Sequence, residues 1–269
     1  MEKIRVTIFQ GKKPRYGENE ALLSALTRQF QIVEMRQAQI ILVIGGDGSM
    51  VEAAKQYHTL GIPLYGISRG TIGFLLNEHE DDDDFATEIK QAIKTTFPLL
   101  EAVVEFYDGR PVAKELAFND VWTKAVNPRG QGAKHTISIN GEDIMQGHRR
   151  DFFMGDGIIV CTAGGSTAYS RSAGGIILDP MENRSIGLTP ICSYIPHDFA
   201  PQVLPSDSVV VIDMIEDDKR QHLVMADNRG FSGVRRVTIR KSQFSVNLLF
   251  KERRSYWHKT NSLRFPWQA

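Results

Sequence analysis

The chain has 269 residues, more than the roughly 100–200 of a usual single domain, so its length predicts one large or two modest domains with room for a true core. Its 32 basic residues balance 32 acidic ones, which excludes the basic excess that a polyanion partner needs, so no nucleic acid is expected. The longest aliphatic run, Ile40 to Ile44, is far too short for a bilayer and "MEKIRVTIFQ" has no apolar signal core, so no membrane is expected and the chain reads as cytoplasmic.

The first hundred residues alternate strand and helix signals. "IRVTIF" (Ile4 to Phe9) predicts a strand, "ENEALLSALTRQF" (Glu18 to Phe30) a helix and "QIILVI" (Gln39 to Ile44) a fully buried strand. "SMVEAAKQYHTLG" predicts a helix stopped by Gly61, and "IPLYGI" (Ile62 to Ile67) a further strand. "DDDDFATEIKQAIKTTF" reads as a helix whose acidic start, Asp81 to Asp84, complements the dipole rather than holding a metal. Such alternation implies an α/β N-terminal domain with a parallel sheet, Rossmann-like, over residues 1–98.

Beyond Pro98 the pattern changes. Short alternating strands surround the turn signals Asp108-Gly109 and Asn140-Gly141, and "DSVVVIDMI", "RQHLVMAD", "RRVTIRK" and "FSVNLLF" continue them. They predict a predominantly β, sandwich-like C-terminal domain over 99–246 with one glycine-rich insertion. Whether the tail 247–269 packs back on the first domain is left open by the pattern. Cys161 and Cys192, each in an apolar stretch, read as inert buried thiols, and no Cys/His spacing resembles a zinc site. His197 and His222 lack partners at recognisable spacing and read as structural, and the arginines of "GHRRDFF" read as a solvated strand edge.

The chemistry concentrates in two glycine-rich segments. In "IILVIGGDGSMVEAAK" a buried strand turns at once into a helix, and Gly45, Gly46 and Gly48 let main-chain N–H groups approach an anion at the helix N-terminus. No Gly-Lys-Ser/Thr follows, so this is no P-loop, and Val51 stands where a dinucleotide fingerprint needs its third glycine. The plain alternative is a tight turn with Asp47 capping the helix. Beside a polyphosphate, however, a carboxylate is unfavourable unless a cation or a substrate hydroxyl intervenes, which makes Asp47 a candidate to orient an attacking hydroxyl. "YGISRGTIGFL" repeats the arrangement one strand later, with Arg69, Gly73 and Phe74 as candidate phosphate-loop contacts.

In "MGDGIIVCTAGGSTAYSRSAGG" (Met154 to Gly175) a strand delivers a loop of small and hydroxylic residues, followed by a short helix starting near Ser166 and ending at Gly174-Gly175. Thr162, Ser166, Thr167 and Tyr169 offer hydroxyls to a base or ribose. The near match to a nucleophile elbow fails because Ala168 replaces the last glycine.

"GGDG" at 45–48, "G…GxxGFL" at 66–75, "FNDV" at 118–121 and "GDG…GGSTAYS.SAGG" at 155–175, in this order, resemble the NAD kinase family over most of the chain. The resemblance implies a two-domain fold with NAD in the cleft, ATP as phosphoryl donor, Mg²⁺ or another divalent metal as cofactor with no protein metal ligand assigned, and a homo-oligomer, tetramer or dimer. It implies that Asp47 activates the adenosine ribose 2′-hydroxyl, and that Asn119 and Asp120 contact adenine and its ribose. By the same resemblance Asp156 and Ser172 bind the nicotinamide carboxamide, and Thr167, Ala168 and Tyr169 wall the adenine, with Thr162, Gly164 and Ser166 in the same loop. Three departures stand out: Asp120 for the family's commoner glutamate, Ala163-Gly164 where proline and a small residue are frequent, and "ADNRG" (226–230) where many members have Asp-Gly-Gln. Asp227 is nonetheless retained as a site candidate. The expected activity is ATP-dependent 2′-phosphorylation of NAD. A GGDG-type kinase of a lipid or sugar hydroxyl, and a dinucleotide sensor without catalysis, are the alternatives.

Overall fold

The computed structural model describes residues 3–11, 20–68, 73–79, 83–126, 130–147, 150–180, 184–216 and 218–251. The chain divides into two compact units, one formed by Met1–Phe97 with Phe244–Ala269 and the other by Pro98–Gln243.

The first unit carries β1 (Arg5–Gln10), α1 (Glu20–Gln29), β2 (Gln31–Ile32), β3 (Ile40–Gly45), α2 (Asp47–Tyr57), β4 (Leu64–Ser68), α3 (Phe85–Gln91) and the start of β5 (Ile93–Phe106). β2, β1, β3 and β4 lie side by side in that order, all parallel. Five aliphatic residues in a row suit β3 because a central parallel strand is covered on both faces, and Ile40 to Ile44 are all buried. α1 buries Leu22, Ala25 and Leu26, the i, i+3, i+4 stripe of a helix lying on a sheet. These pack with Val6, Leu42, Ile44, Tyr65, Phe85 and Ile89 into one core. Gly61 ends the segment after α2 with φ 65°, a left-handed turn that glycine adopts without cost.

The expected long helix after the aspartates is corrected. α3 stops at Gln91, and the "IKTTF" that follows belongs to β5. The β-branched pair Thr95-Thr96 favours the pleat, and burial alternates, with Thr95 and Phe97 in and Thr96 out, where the Thr96 hydroxyl donates to Asn247 Oδ1 at 2.8 Å. Asp84 caps α3, accepting from Thr87 N at 3.1 Å, and these hydrogen bonds hold its carboxyl below the usual range. Asp81 and Asp82 lie outside the described residues.

The second unit contains β6 (Ala113–Ala117), β7 (Asp120–Ala125), β8 (Ala133–Ile139), β9 (Glu142–Asp143), β10 (Phe153–Gly155), β11 (Gly157–Cys161), α4 (Tyr169–Ser172), β12 (Ser185–Ile191), β13 (Gln202–Pro205), β14 (Val210–Met214), β15 (His222–Ala226), β16 (Arg229–Ser232) and most of β17 (Val234–Phe250). One antiparallel sheet runs β13-β12-β11-β7-β15-β16. A second set pairs β10, β8, β14 and β17, also antiparallel. Val121, Ile158, Val160, Leu188 and Val224 of the first sheet share a core with Ile137, Phe153, Ile212, Val237 and Ile239 of the second, as a sandwich requires. Asn140-Gly141 forms the expected turn with φ 53° and 87°.

Two more expectations change. "RRVTIRK" and "FSVNLLF" are one strand, β17, not two: its first half pairs with β14, and its last residues, which belong to the first unit, pair within that unit, Leu248 with Leu64 and Leu249 with Tyr65 of β4. Cys161 is buried as expected, but Cys192 is exposed, because β12 ends one residue earlier and Cys192 turns out of the sheet at φ 46°. Among the described residues no helix is long and apolar enough to cross a membrane.

Candidate functional site

β3 ends at Gly45 and α2 begins at Asp47, with Gly46 in extended conformation as the cap residue. Asp47 is therefore the first helical residue, and the N-cap position that the plain reading gave it belongs to Gly46. Its carboxylate instead reaches across to the next loop, where Oδ2 accepts from Phe74 N at 3.0 Å and Oδ1 from Leu75 N at 2.9 Å. Gly73 stands so close that a Cβ there would lie 3.7 Å from Asp47 Oδ1. The two glycine loops, separate in the sequence, are thus tied together by one side chain.

The glycines of the first loop serve different ends. Gly45 has φ 152° and a Cβ there would meet Ser49 Oγ at 2.3 Å, so the fold itself demands glycine. At Gly46 and Gly48 no described atom lies within 4 Å of a would-be Cβ. Among the described residues no packing contact calls for glycine at these two positions, which lie at a helix N-terminus, suited to an anion. Arg69 lies outside the described residues. Sequence reasoning missed Asn77, which is buried: its Nδ2 donates to the Gly66 carbonyl at 3.1 Å and to the Leu249 carbonyl at 3.0 Å, and its Oδ1 accepts from Lys251 N at 2.9 Å. It anchors the far end of the 73–79 loop to β4 and β17, and no short-range pattern signals it.

In the second unit the sequence candidates form a connected set. Asp227 Oδ2 accepts from Phe118 N at 2.7 Å, while Oδ1 accepts from Asn119 N at 2.9 Å and Asp120 N at 3.2 Å. Thr162 holds the same turn from the other side: its hydroxyl donates to the Phe118 carbonyl at 2.7 Å and its N–H to the Asn119 carbonyl at 2.9 Å. The Thr162 hydroxyl also accepts from Gly165 N at 2.9 Å. Gly165, which sequence reasoning passed over in favour of Gly164, is the sterically required member of the doublet, since a Cβ there would fall 2.0 Å from the Asn119 carbonyl oxygen. Asp120 is 5% exposed, and burial, then the charge of Asp227, push its carboxyl up to about 7.

The remaining candidates separate by exposure. Ser166 is fully buried, its hydroxyl donating to the Ala163 carbonyl at 2.7 Å and accepting from Leu178 N at 3.0 Å. It builds the loop. Gly164 is buried beside it, in the 3-10 turn Gly164–Thr167, and the short helix expected from near Ser166 starts at Tyr169, as α4. Thr167, Ala168 and Tyr169 are half-buried, and the Tyr169 ring meets Trp122 edge-on at 5.5 Å. Asp156, in the bend between β10 and β11, and Ser172, closing α4, are exposed. His222 lies buried 5.0 Å, ring to ring, from the buried His135, the structural role expected of it.

Among the described residues one group offers metal-ligand atoms within 4.8 Å of one another: His79, Asp83 and Glu88. The Lys251 ammonium already bonds the Glu88 carboxylate and lies 3.4 Å from Asp83 Oδ2. A cation is thus supplied by the chain itself, and His79 Nδ1 and Nε2 are taken by Asp83 and the Tyr65 hydroxyl, each at 2.8 Å. Burial lowers the pKa of His79 in spite of its acidic neighbours.

A parallel α/β unit whose GGDG loop holds a carboxylate against a second glycine loop, with an antiparallel β sandwich in the same chain, defines the class of GGDG kinases. Comparison narrows the class. Residues 5–97 match the model of the ATP-NAD kinase N-terminal domain and residues 134–249 that of the ATP-NAD kinase C-terminal domain. The NAD kinase of Rickettsia bellii is 33% identical over 241 residues, 88% of this chain and 91% of its own. The NAD kinase of Brucella suis is 34% identical over 243 residues, 89% and 91% of the two chains. Among solved structures, yeast NADH kinase complexed with NADH superposes with a TM-score of 0.79 at 19% identity, covering 100% of this chain and 89% of its own. An NAD kinase from Archaeoglobus fulgidus in complex with ATP gives 0.74 at 22%, covering 97% and 99%. At such identities the two structures show the fold. The chain belongs to the ATP-NAD kinase family. That membership leaves the lipid- or sugar-kinase and sensor readings without support.

Proposed function

We propose that this family member transfers the γ-phosphoryl group of ATP to the adenosine ribose 2′-hydroxyl of NAD, giving NADP, with Asp47 as the acceptor for the hydroxyl proton. The observation that carries the role is the fixing of the Asp47 carboxylate by Phe74 N and Leu75 N beside the sterically open Gly46 and Gly48. A carboxylate has about four lone-pair directions, so a carboxylate held by main-chain N–H groups can also grip a hydroxyl. A carboxylate is a weak base, which suits a loose phosphoryl-transfer transition state in which the proton leaves late. Positioning then carries most of the rate effect, and a side chain pinned at both oxygens is well positioned.

A divalent metal such as Mg²⁺ fits this loop, because a phosphate-bound ion draws most ligands from phosphate and water and needs only one or two carboxylates, and Asp47 offers one where Gly46 and Gly48 leave space. When bound, it would neutralise charge on the donor phosphates. The bare N–H groups of the loop would bind the same phosphates. Asn119 and Asp120 contact the adenine and its ribose, the half-buried Thr167, Ala168 and Tyr169 line the base, and the exposed Asp156 and Ser172 are available to the nicotinamide amide. Ser166 and Thr162 act as loop supports instead of ligands, since their hydroxyls are spent internally. The protein works in the cytoplasm as a homo-oligomer.

Incubation with NAD, ATP and Mg²⁺, with product read by an NADP-specific dehydrogenase, tests acceptor and chemistry together. NADP formation that stops when ATP is withheld is the expected result. Absence of NADP with both substrates present would reject the reading.

A further inference from the structure

Asp227 stands first in a two-residue turn: Ala226 pairs with Arg229 across the β15–β16 hairpin, leaving Asp227 and Asn228 between the strands. It adopts φ 51°, a conformation that asparagine, aspartate and glycine all accept in tight hairpins. The turn alone therefore does not single out a carboxylate over an amide or a bare backbone. The reason lies opposite, where all three N–H groups of Phe118, Asn119 and Asp120 point at that one side chain, at 2.7, 2.9 and 3.2 Å.

The carbonyls of the same three residues are also bound. Thr162 takes those of Phe118 and Asn119, and Asp227 N donates to that of Asp120 at 3.0 Å. Every main-chain polar group of residues 118–120 thus has a protein partner, so no backbone donor or acceptor of the turn depends on water or ligand for a hydrogen bond. Three convergent bonds to an ionised acceptor are of the stronger, charge-assisted kind. Such a turn presents two side chains, those of Asn119 and Asp120, from an immobile base.

We infer that Asp227 is a positioning residue, whose carboxylate fixes the 118–120 turn so that Asn119 and Asp120 meet the dinucleotide in one geometry. The inference rests on the reading that Asn119 and Asp120 contact NAD, and it moves Asp227 from ligand contact to support. The arrangement has an electrostatic consequence as well. Of the titratable groups around Asp120, Asp227 is the charged one that raises its pKa after burial, and the neighbouring Cys161 thiol is held neutral, pushed up to about 11 mainly by burial.

Asp227→Asn and Asp227→Gly test it in the full-length enzyme. Both residues accept a positive φ, and neither can receive three N–H bonds on a carboxylate. The expected result is a KM for NAD raised about tenfold or more with kcat and the KM for ATP within about threefold, the signature of lost substrate positioning rather than lost chemistry. The pH dependence of kcat/KM for NAD should move to lower pH in both variants, because removing a like charge lets Asp120 ionise more readily. A role confined to holding the fold would lower Tm and leave the KM for NAD and the pH midpoint where they were; that outcome overturns the inference. Asn119→Ala serves as the control: if it leaves the KM for NAD unchanged, the contact reading itself fails, whereas a raised KM in Asn119→Ala beside unaltered Asp227 variants sinks only the role of Asp227.

Discussion

Asp47 and Phe74 are joined by a side-chain to main-chain hydrogen bond of 3.0 Å, although a helix and a strand separate them along the chain. With its twin from Leu75 it makes the GGDG carboxylate both a chemical group and a clasp. Asp47→Asn keeps the size but puts an NH₂ against a main-chain N–H at one oxygen's place. We expect turnover to fall at least about a hundredfold, the scale of a positioned acid–base group, with the dissociation constant for NAD within a few-fold. Steady-state kinetics beside NAD titration measures both, and unchanged turnover would remove Asp47 from the chemistry.

The glycines of the site should split by substitution. Gly165→Ala forces a methyl against the Asn119 carbonyl at 2.0 Å, and overpacking of this kind costs about 1–3 kcal/mol or more. Gly46→Ala meets no described atom within 4 Å and should change stability by no more than about 0.5 kcal/mol. Its effect should appear in the KM for ATP, where the added methyl competes with phosphate. Denaturant melts paired with ATP kinetics distinguish them, and equal stability loss in both would contradict the steric assignment.

Asp120 predicts a pH dependence of stability with an unusual sign. Its carboxyl is raised from 3.8 to about 7 on folding, so the native state binds the extra proton between those values. Its contribution is full below about pH 4 and is lost as pH rises through about 7. The cost of charging the group is on the order of a few kcal/mol. Asp120→Asn, which cannot ionise, should therefore gain in Tm relative to the parent at pH 8 and gain less at pH 5. A Tm difference independent of pH would exclude this titration.

Lys251 sits where His79, Asp83 and Glu88 converge. Replacing it by Met leaves two carboxylates and an imidazole without their cation, and we expect a loss of about 1–2 kcal/mol, tempered by the partial exposure of the group. Millimolar Mn²⁺ or Zn²⁺ should raise the Tm of Lys251→Met by more than that of the parent chain. A parent chain stabilised by these ions to the same degree would show that the lysine does not fill the site.

The NAD kinase resemblance is legible in the amino-acid sequence because it rests on contiguous patterns: a buried aliphatic strand, GGDG, and the glycine- and serine-rich segment at 154–175. Periodicity likewise separates the parallel α/β half from the short strands that follow, since burial on both faces and alternation leave different traces in composition. Errors fall where local propensity is weak against packing. "IKTTF" carries apolar residues at spacings compatible with a helix, and only its place beside Asn247 of β17 makes it a strand.

What the sequence determined by itself was the kinds of groups available: a carboxylate among glycines, an Asn-Asp pair, hydroxyls in a close-packed loop. Which of these face outward and which hold the others in place was decided by tertiary structure. Asp47 clasping Phe74 and Leu75, Asn77 bonding Leu249 across 172 positions, and Asp227 gathering the N–H groups of Phe118 to Asp120 are bonds between segments distant along the chain. No local pattern encodes such a bond, because a main-chain N–H is the same donor in every residue but proline, and only folding selects which one a given carboxylate will meet.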